Sequence, residues 1–244
     1  FHAPQTTGTS PLSLHDALPV LPGYDMAIIK FSPDGTKRLY ATYLGGSGNE
    51  QPHSMICDPQ GNLIVAGRTN STNYPLKPLG NKVGPSGTKD YDIVVTKFNA
   101  NGTGILGSIK IGGSGDDGVN IRSKYAAPGG ADATRRNYGD DARSEVILDN
   151  SGNIYLASCT QSTDFFVTPG TYAQTTCGGG RQDGAILKFN STRSSVLFSK
   201  YFDCNGDDYC FVLSFKPVNG NLYVAVGTTV FGLPVHRNGC IHRA

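Results

Sequence analysis

Three stretches of this chain copy one another, and that repetition limits the fold more than any other feature. They are Asp58-Pro-Gln-Gly-Asn-Leu-Ile-Val-Ala-Gly-Arg-Thr-Asn-Ser-Thr-Asn-Tyr74, Asp149-Asn-Ser-Gly-Asn-Ile-Tyr-Leu-Ala-Ser-Cys-Thr-Gln-Ser-Thr-Asp-Phe165 and the weaker Pro217-Val-Asn-Gly-Asn-Leu-Tyr-Val-Ala-Val-Gly-Thr-Thr229. Each is a polar turn, Gly-Asn, a short apolar run, then small and hydroxyl residues. Self-similarity of this kind marks a repeat architecture, in which each unit buries its apolar face only against its neighbours.

A second recurring text supplies the rest of the unit. Asp25-Met-Ala-Ile-Ile-Lys-Phe31, Asp92-Ile-Val-Val-Thr-Lys-Phe98 and Asp183-Gly-Ala-Ile-Leu-Lys-Phe189 read as three copies of one strand, all ending in Lys-Phe. A turn follows each, at Ser32-Pro-Asp-Gly35, Asn99-Ala-Asn-Gly102 and the less regular Asn190-Ser-Thr-Arg193. Gly and Asn suit hairpin turns because they accept positive φ at little cost. Another strand comes next: Leu39-Tyr-Ala-Thr-Tyr-Leu44, Ile105-Leu-Gly-Ser-Ile-Lys-Ile111 and Val196-Leu-Phe-Ser-Lys-Tyr-Phe202. A Gly-rich acidic corner follows, at Gly45-Gly-Ser-Gly-Asn-Glu50, Gly112-Gly-Ser-Gly-Asp-Asp117 and Cys204-Asn-Gly-Asp-Asp208. A short strand at Met55-Ile-Cys57, Glu145-Val-Ile-Leu148 or Phe211-Val-Leu-Ser-Phe215 then leads back to the opening text.

Four strands in antiparallel meander make a propeller blade. The expected fold class is therefore all-β, a partial β-propeller of about three four-stranded antiparallel blades. The 32 glycines and 14 prolines agree, since they favour many turns over long helices. The repeats occupy 24–235, between a non-repeat N-terminal segment (1–23) and a non-repeat tail (236–244). Lys30 to Gly61 and Lys188 to Gly220 are nearly equal intervals, but Lys97 to Gly152 is much longer, which places an insertion at about 119–142. The text starts at a third strand and stops after a second one, giving two whole blades and two halves. Propellers close with roughly four to eight blades, so further blades are expected outside this chain.

The motifs Lys-Phe, Pro-Asp-Gly-Thr, Tyr-Leu-Gly-Gly-Ser-Gly, Asp-x-x-Gly-Asn-Leu/Ile and Ser-Thr-Asn/Asp-Tyr/Phe, in this order, resemble the SBBP (seven-bladed β-propeller) repeats. The resemblance covers about Tyr24 to Pro234. It implies a secreted bacterial surface protein of many repeats, extracellular in location, and it brings no shared catalytic residues. The 119–142 insertion and the Cys-Asn-Gly corner depart from the family pattern.

Several function classes are disfavoured. Charged residues are 16% and the net charge is +2, too little to recruit nucleic acid. No run of 18 apolar residues offers a membrane span. Six cysteines contain no C-x-x-C pair, which argues against a zinc ribbon. Gly-x-Ser-x-Gly, His-Glu-x-x-His and a Walker-type loop are missing. His53 has no acid or nucleophile fixed beside it in sequence and reads as a rim or core residue.

In such a meander one face carries only tight turns. The opposite face collects the long segments 70–90, 112–142 and 161–183, and binding residues concentrate on loops held by a rigid scaffold. Candidate ligand-binding residues there are Tyr74, Arg122, Tyr125, Arg135, Arg136, Tyr138 and Arg143, types favoured at recognition surfaces. The pairs Asp116 and Asp117, and Asp140 and Asp141, are candidate metal ligands because Ca2+ takes hard oxygens. No calcium-loop motif accompanies them, and an acid repeated in each blade more often serves its own loop. No cofactor is therefore expected, with calcium as the alternative. The expected function is a non-catalytic scaffold or adhesion module binding glycan or protein at the cell surface. The alternative is a glycan-active hydrolase or lyase using acids on the same face.

Overall fold

The computed structural model describes residues 23–85, 90–119, 144–169, 182–192, 195–202, 208–215 and 221–228. Every regular element among them is a strand. β1 (Met26–Phe31) pairs with β2 (Arg38–Leu44) as an isolated half-blade. β3 (Glu50–Cys57), β4 (Leu63–Thr69), the short β5 (Lys82–Val83), β6 (Asp92–Phe98) and β7 (Ile105–Ile111) form the first whole blade, in the order β3-β4-β6-β7-β5. The second is β8 (Glu145–Leu148), β9 (Ile154–Thr160), β10 (Asp183–Phe189) and β11 (Val196–Phe202), in chain order across the sheet. β12 (Asp208–Phe215) and β13 (Leu222–Thr228) pair as a second half-blade among the described residues. The innermost strands lie beside one another, β3 against β8 and β8 against β12, as sectors of a disc require.

Alternation along each strand builds the contacts between blades. In β4, Leu63 and Val65 enter a core shared with Met26, Ile28 and Leu44 of the preceding half-blade. Their neighbours Ile64 and Ala66 enter a second core with Ile154, Leu156, Leu187 and Phe189 of the following blade. β9 repeats the division: Ile154 and Leu156 point back, while Tyr155 and Ala157 join Ile186, Leu222 and Val224 in a third core. Both faces of β4 and β9 are thus buried at every position. Such strands read as continuous apolar runs instead of clean alternation.

Two local features recur from blade to blade. Each Lys-Phe ending coincides with a register shift, at Lys30/Phe31, Lys97/Phe98 and Lys188/Phe189, where an extra residue bends the strand into its turn. The Asp58 and Asp149 turns are built alike. Asp58 Oδ1 accepts from the amides of Gln60 and Asn62, and Asp149 Oδ1 from those of Ser151 and Asn153. Gly61 and Gly152 take φ of 78° and 74° there, values that favour glycine.

One strand is longer than expected. The strand read at Met55-Ile-Cys57 begins at Glu50 and runs through Pro52. Proline is tolerated because β3 lies at a sheet edge and shifts register between Pro52 and Ser54.

Candidate functional site

The loop-bearing face is organised by two acidic corners of the same design. In the first, Glu50 at the start of β3 turns its carboxylate back under its own loop. Oε1 accepts from the hydroxyls of Thr69 and Ser71, the latter at 2.5 Å, and Oε2 accepts from the Gly46 amide at 3.0 Å. The loop is then fastened to the segment after β4. Gly48 N donates to Ser71 Oγ at 2.7 Å, Ser47 N to Asn73 Oδ1 at 2.7 Å, and Asn49 N to Asn70 Oδ1 at 2.6 Å.

In the second corner Asp117 takes the place of Glu50. It accepts from Thr160 and Ser162 hydroxyls and from Gly113 N at 2.7 Å. Gly115 N donates to Ser162 Oγ at 2.9 Å and Ser114 N to Asp164 Oδ1 at 2.7 Å. Glycine is required by contact as well as by flexibility. A Cβ at Gly46 would stand 2.7 Å from Ser71 Cβ, and one at Gly113 would stand 2.3 Å from Ser162 Cβ.

Each corner also pairs two carboxylates around its first glycine. A Cβ at Gly45 would meet Asp25 Oδ1 and Glu50 Oε2, and one at Gly112 would meet Asp92 Oδ1 and Asp117 Oδ2, all within 3 Å. Burial pushes Asp117 up to about 7 against the pull of Thr160, Gly113 and Ser162, and the Asp92 charge adds to the rise. Burial also raises Glu50, against the hydrogen bonds from Ser71, Thr69 and Gly46. Asp92 is raised by burial too, although Lys110 Nζ sits 2.7 Å from its Oδ2.

These surroundings decide what the acids can do. Asp117 is fully buried and its neighbours present N–H and O–H groups, whereas a cation needs oxygen lone pairs directed at it. Asp116 Oδ1 accepts from Tyr91 N at 3.0 Å. Among the described residues no three His, Cys, Asp or Glu side chains gather closely enough to hold a metal ion. Asp140 and Asp141 lie outside the described residues.

Of the ligand-binding candidates, Arg122, Tyr125, Arg135, Arg136, Tyr138 and Arg143 also lie outside the described residues. Tyr74 is in the core instead of on a rim: it is 5% exposed and packs with Met26, Leu63 and Phe98. Its hydroxyl meets Thr96 Oγ1 at 2.9 Å, which meets Ser108 Oγ at 2.8 Å. Tyr74 therefore drops out as a ligand contact. Phe165, its counterpart, is equally buried.

The burial of Tyr74 belongs to a wider correction. Much of two long segments is used to cover sheet edges. After Tyr74 the chain runs along the outer strand β7: Lys77 N and Ser108 N exchange bonds with Ser108 O and Lys77 O, and β5 then pairs parallel with β7. In the second blade Thr168 N donates to Ser199 O at 3.0 Å, Ser199 N to Thr168 Oγ1 at 3.1 Å and Ser199 Oγ to Phe166 O at 2.6 Å. Covering an outer strand in this way removes a template for unwanted pairing. The signal in the sequence was the large apolar residue, Tyr74 or Phe165, set within an otherwise polar loop.

His53 sits half-buried with Nδ1 3.0 Å from Ser144 Oγ, itself 2.9 Å from Ser158 Oγ. Among the described residues its Nε2 has no hydrogen-bond partner, and burial, with the Arg68 charge, lowers the ring to about 3. Ser144 and Ser158 are both fully buried, so the contact with His53 lies within the packing between blades. A groove of about 830 Å³ opens on the tight-turn face, between the Asp58 and Asp149 turns, lined by Ile56, Lys97, Leu148, Asn150 and Thr192 among others.

Residues 39–75 match the SBBP β-propeller repeat family. This stretch is an SBBP-type repeat: it runs from β2 through the Glu50 corner and β3 to the end of the β4 latch at Tyr74. No curated protein matches the chain. No helix among the described residues is long and apolar enough to cross a membrane.

Proposed function

We propose that this propeller module is a non-catalytic scaffold that binds glycan or protein through its loop-bearing face, on a secreted or surface-attached protein. The observation that supports it most is the duplicated latch. Two corners hold their carboxylates with hydroxyl and amide donors, and the Asp117 corner ties residues 113–117 to 160–164, which fixes the strand ends that lead toward residues 119 and 169. Binding then costs less ordering entropy than it would from a free loop. The same observation weighs against catalysis, because Glu50, Asp92 and Asp117 are buried and engaged within the fold.

The test is a screen of the purified chain against polysaccharide and surface-protein panels, recording bound mass and released reducing ends together. Capture without product release is the expected result, weakened by joint Arg135→Ala and Arg136→Ala substitution. Product release would replace the scaffold reading with the hydrolase or lyase alternative.

A further inference from the structure

The groove on the tight-turn face lies between the two whole blades. One wall is the Asp58 turn with Lys97 of β6 and Leu106 of β7, and the other is the Asp149 turn with Ser191 and Thr192 after β10. It reaches from the innermost strand β3 to β7, three strand intervals away, and is on the order of 14 Å long. Its volume of about 830 Å³ falls within the span of small-ligand sites.

Its lining combines an apolar floor with a polar rim. Ile56 and Leu148 rest on the core between the blades and are only partly buried. Leu106 is the extra residue of the β6–β7 bulge, since Lys97 lies opposite Gly107 and Phe98 opposite Ile105. A bulge re-aims the side chain it carries, and Leu106 is left 46% exposed. Around these, the side chains of Gln60, Asn150, Ser151 and Ser191 make no hydrogen bond with the described residues. They supply amide and hydroxyl groups that both donate and accept. The charges, by contrast, are already engaged: Lys97 Nζ lies 2.5 Å from Asp58 Oδ2, and Lys188 Nζ 3.5 Å from Asp149 Oδ2.

These features select among ligand classes. An anionic polymer would find no unpaired cation among the lining residues. A peptide that adds as a strand needs a backbone edge along its length, whereas this groove crosses the strands and takes one or two residues from each. A sugar presents apolar C–H faces together with hydroxyls that each donate and accept, which matches an exposed leucine ringed by uncommitted amides and hydroxyls. We propose that the groove is a second binding site, for a short segment of neutral oligosaccharide, with Leu106 under the sugar face and Gln60, Asn150 and Ser151 bonding its hydroxyls. It lies on the face opposite the long loops and does not depend on what those loops bind.

Titration calorimetry of the 244-residue chain with neutral β-linked tetrasaccharides of glucose, xylose and mannose tests it. At least one should bind, and joint Gln60→Ala and Asn150→Ala substitution should weaken that binding at least about tenfold, as should Leu106→Asp. All three side chains are exposed, so the circular dichroism spectrum should not change. Joint Arg135→Ala and Arg136→Ala substitution should leave the affinity as it was. Loss of binding in that variant alone would assign the sugar to the loop-bearing face and overturn the groove site. The proposal also falls if no tetrasaccharide binds, if the groove variants bind as well as the parent chain, or if a sulfated oligosaccharide or an unstructured peptide takes the groove in preference.

Discussion

The Glu50 and Asp117 corners do the same job with different residues, and their differences show which parts of the design are chemical and which are spatial. Both carboxylates take a threonine hydroxyl, a serine hydroxyl and a glycine amide. The acid may be one methylene longer or shorter, but the donor set is constant. Further along the latch the side chains change while the group they satisfy does not. Lys110 Nζ approaches Ser71 O at 3.5 Å in the first blade, and Tyr201 OH donates to Ser162 O at 2.9 Å in the second. A buried carbonyl must find a donor, and the repeat meets that requirement with whichever long side chain the outer strand provides.

The largest break in this equivalence should come from Asp117→Ala. It strands the hydroxyls of Thr160 and Ser162 and the Gly113 amide, and the loss of a buried network should cost about 3 kcal/mol or more in urea denaturation. A loss below about 1 kcal/mol would mean the corner is not structural. Gly113→Ala should follow at about 2 kcal/mol by the same assay, because the new methyl overlaps Ser162 Cβ and neighbouring groups must move. Gly35→Ala, where nothing lies within 4 Å, isolates the cost of positive φ alone and should cost about 1 kcal/mol.

The pH profile sharpens the comparison further. Asp117 is held near 7 in the folded chain, against an ordinary value of 3.8. The folded state thus binds its proton more tightly than the unfolded state. That contribution is complete below about pH 4, and it is lost as pH rises toward 7, at no more than about 1.4 kcal/mol per pH unit. Asp117→Asn should flatten the profile across this window, and parallel profiles for the two proteins would contradict the assignment. The smallest contrast concerns the turns. The Lys97–Asp58 pair is 2.5 Å apart and well buried, while Lys188–Asp149 is 3.5 Å apart and more exposed. Lys97→Met should therefore lower stability by about 1 kcal/mol and Lys188→Met by about half that or less, read as a difference in melting temperature.

Part of this was legible beforehand. The strands ending in Lys-Phe, the Gly61 and Gly152 turns, the meander and its blades all follow from local rules. Alternation, turn chemistry and apolar runs act over a few residues and are written there. The acidic corners were visible too, including the reading that an acid repeated in each blade serves its own loop. What escaped was the use of residues after the second strand as edge covers, and with it the burial of Tyr74. That segment has no period of its own. Its conformation comes from β7, which follows it in the chain and against which it is laid.

Phe31, Phe98 and Phe189 close the same seven-residue text, and the chain alone determines that each ends a strand just before a turn. Only the assembled structure decided that two of these rings are buried while Phe31 remains 56% exposed. Strand geometry assigns a side chain to a face through contacts a few residues away, but burial depends on whether another sheet lies across that face, and that is a long-range fact.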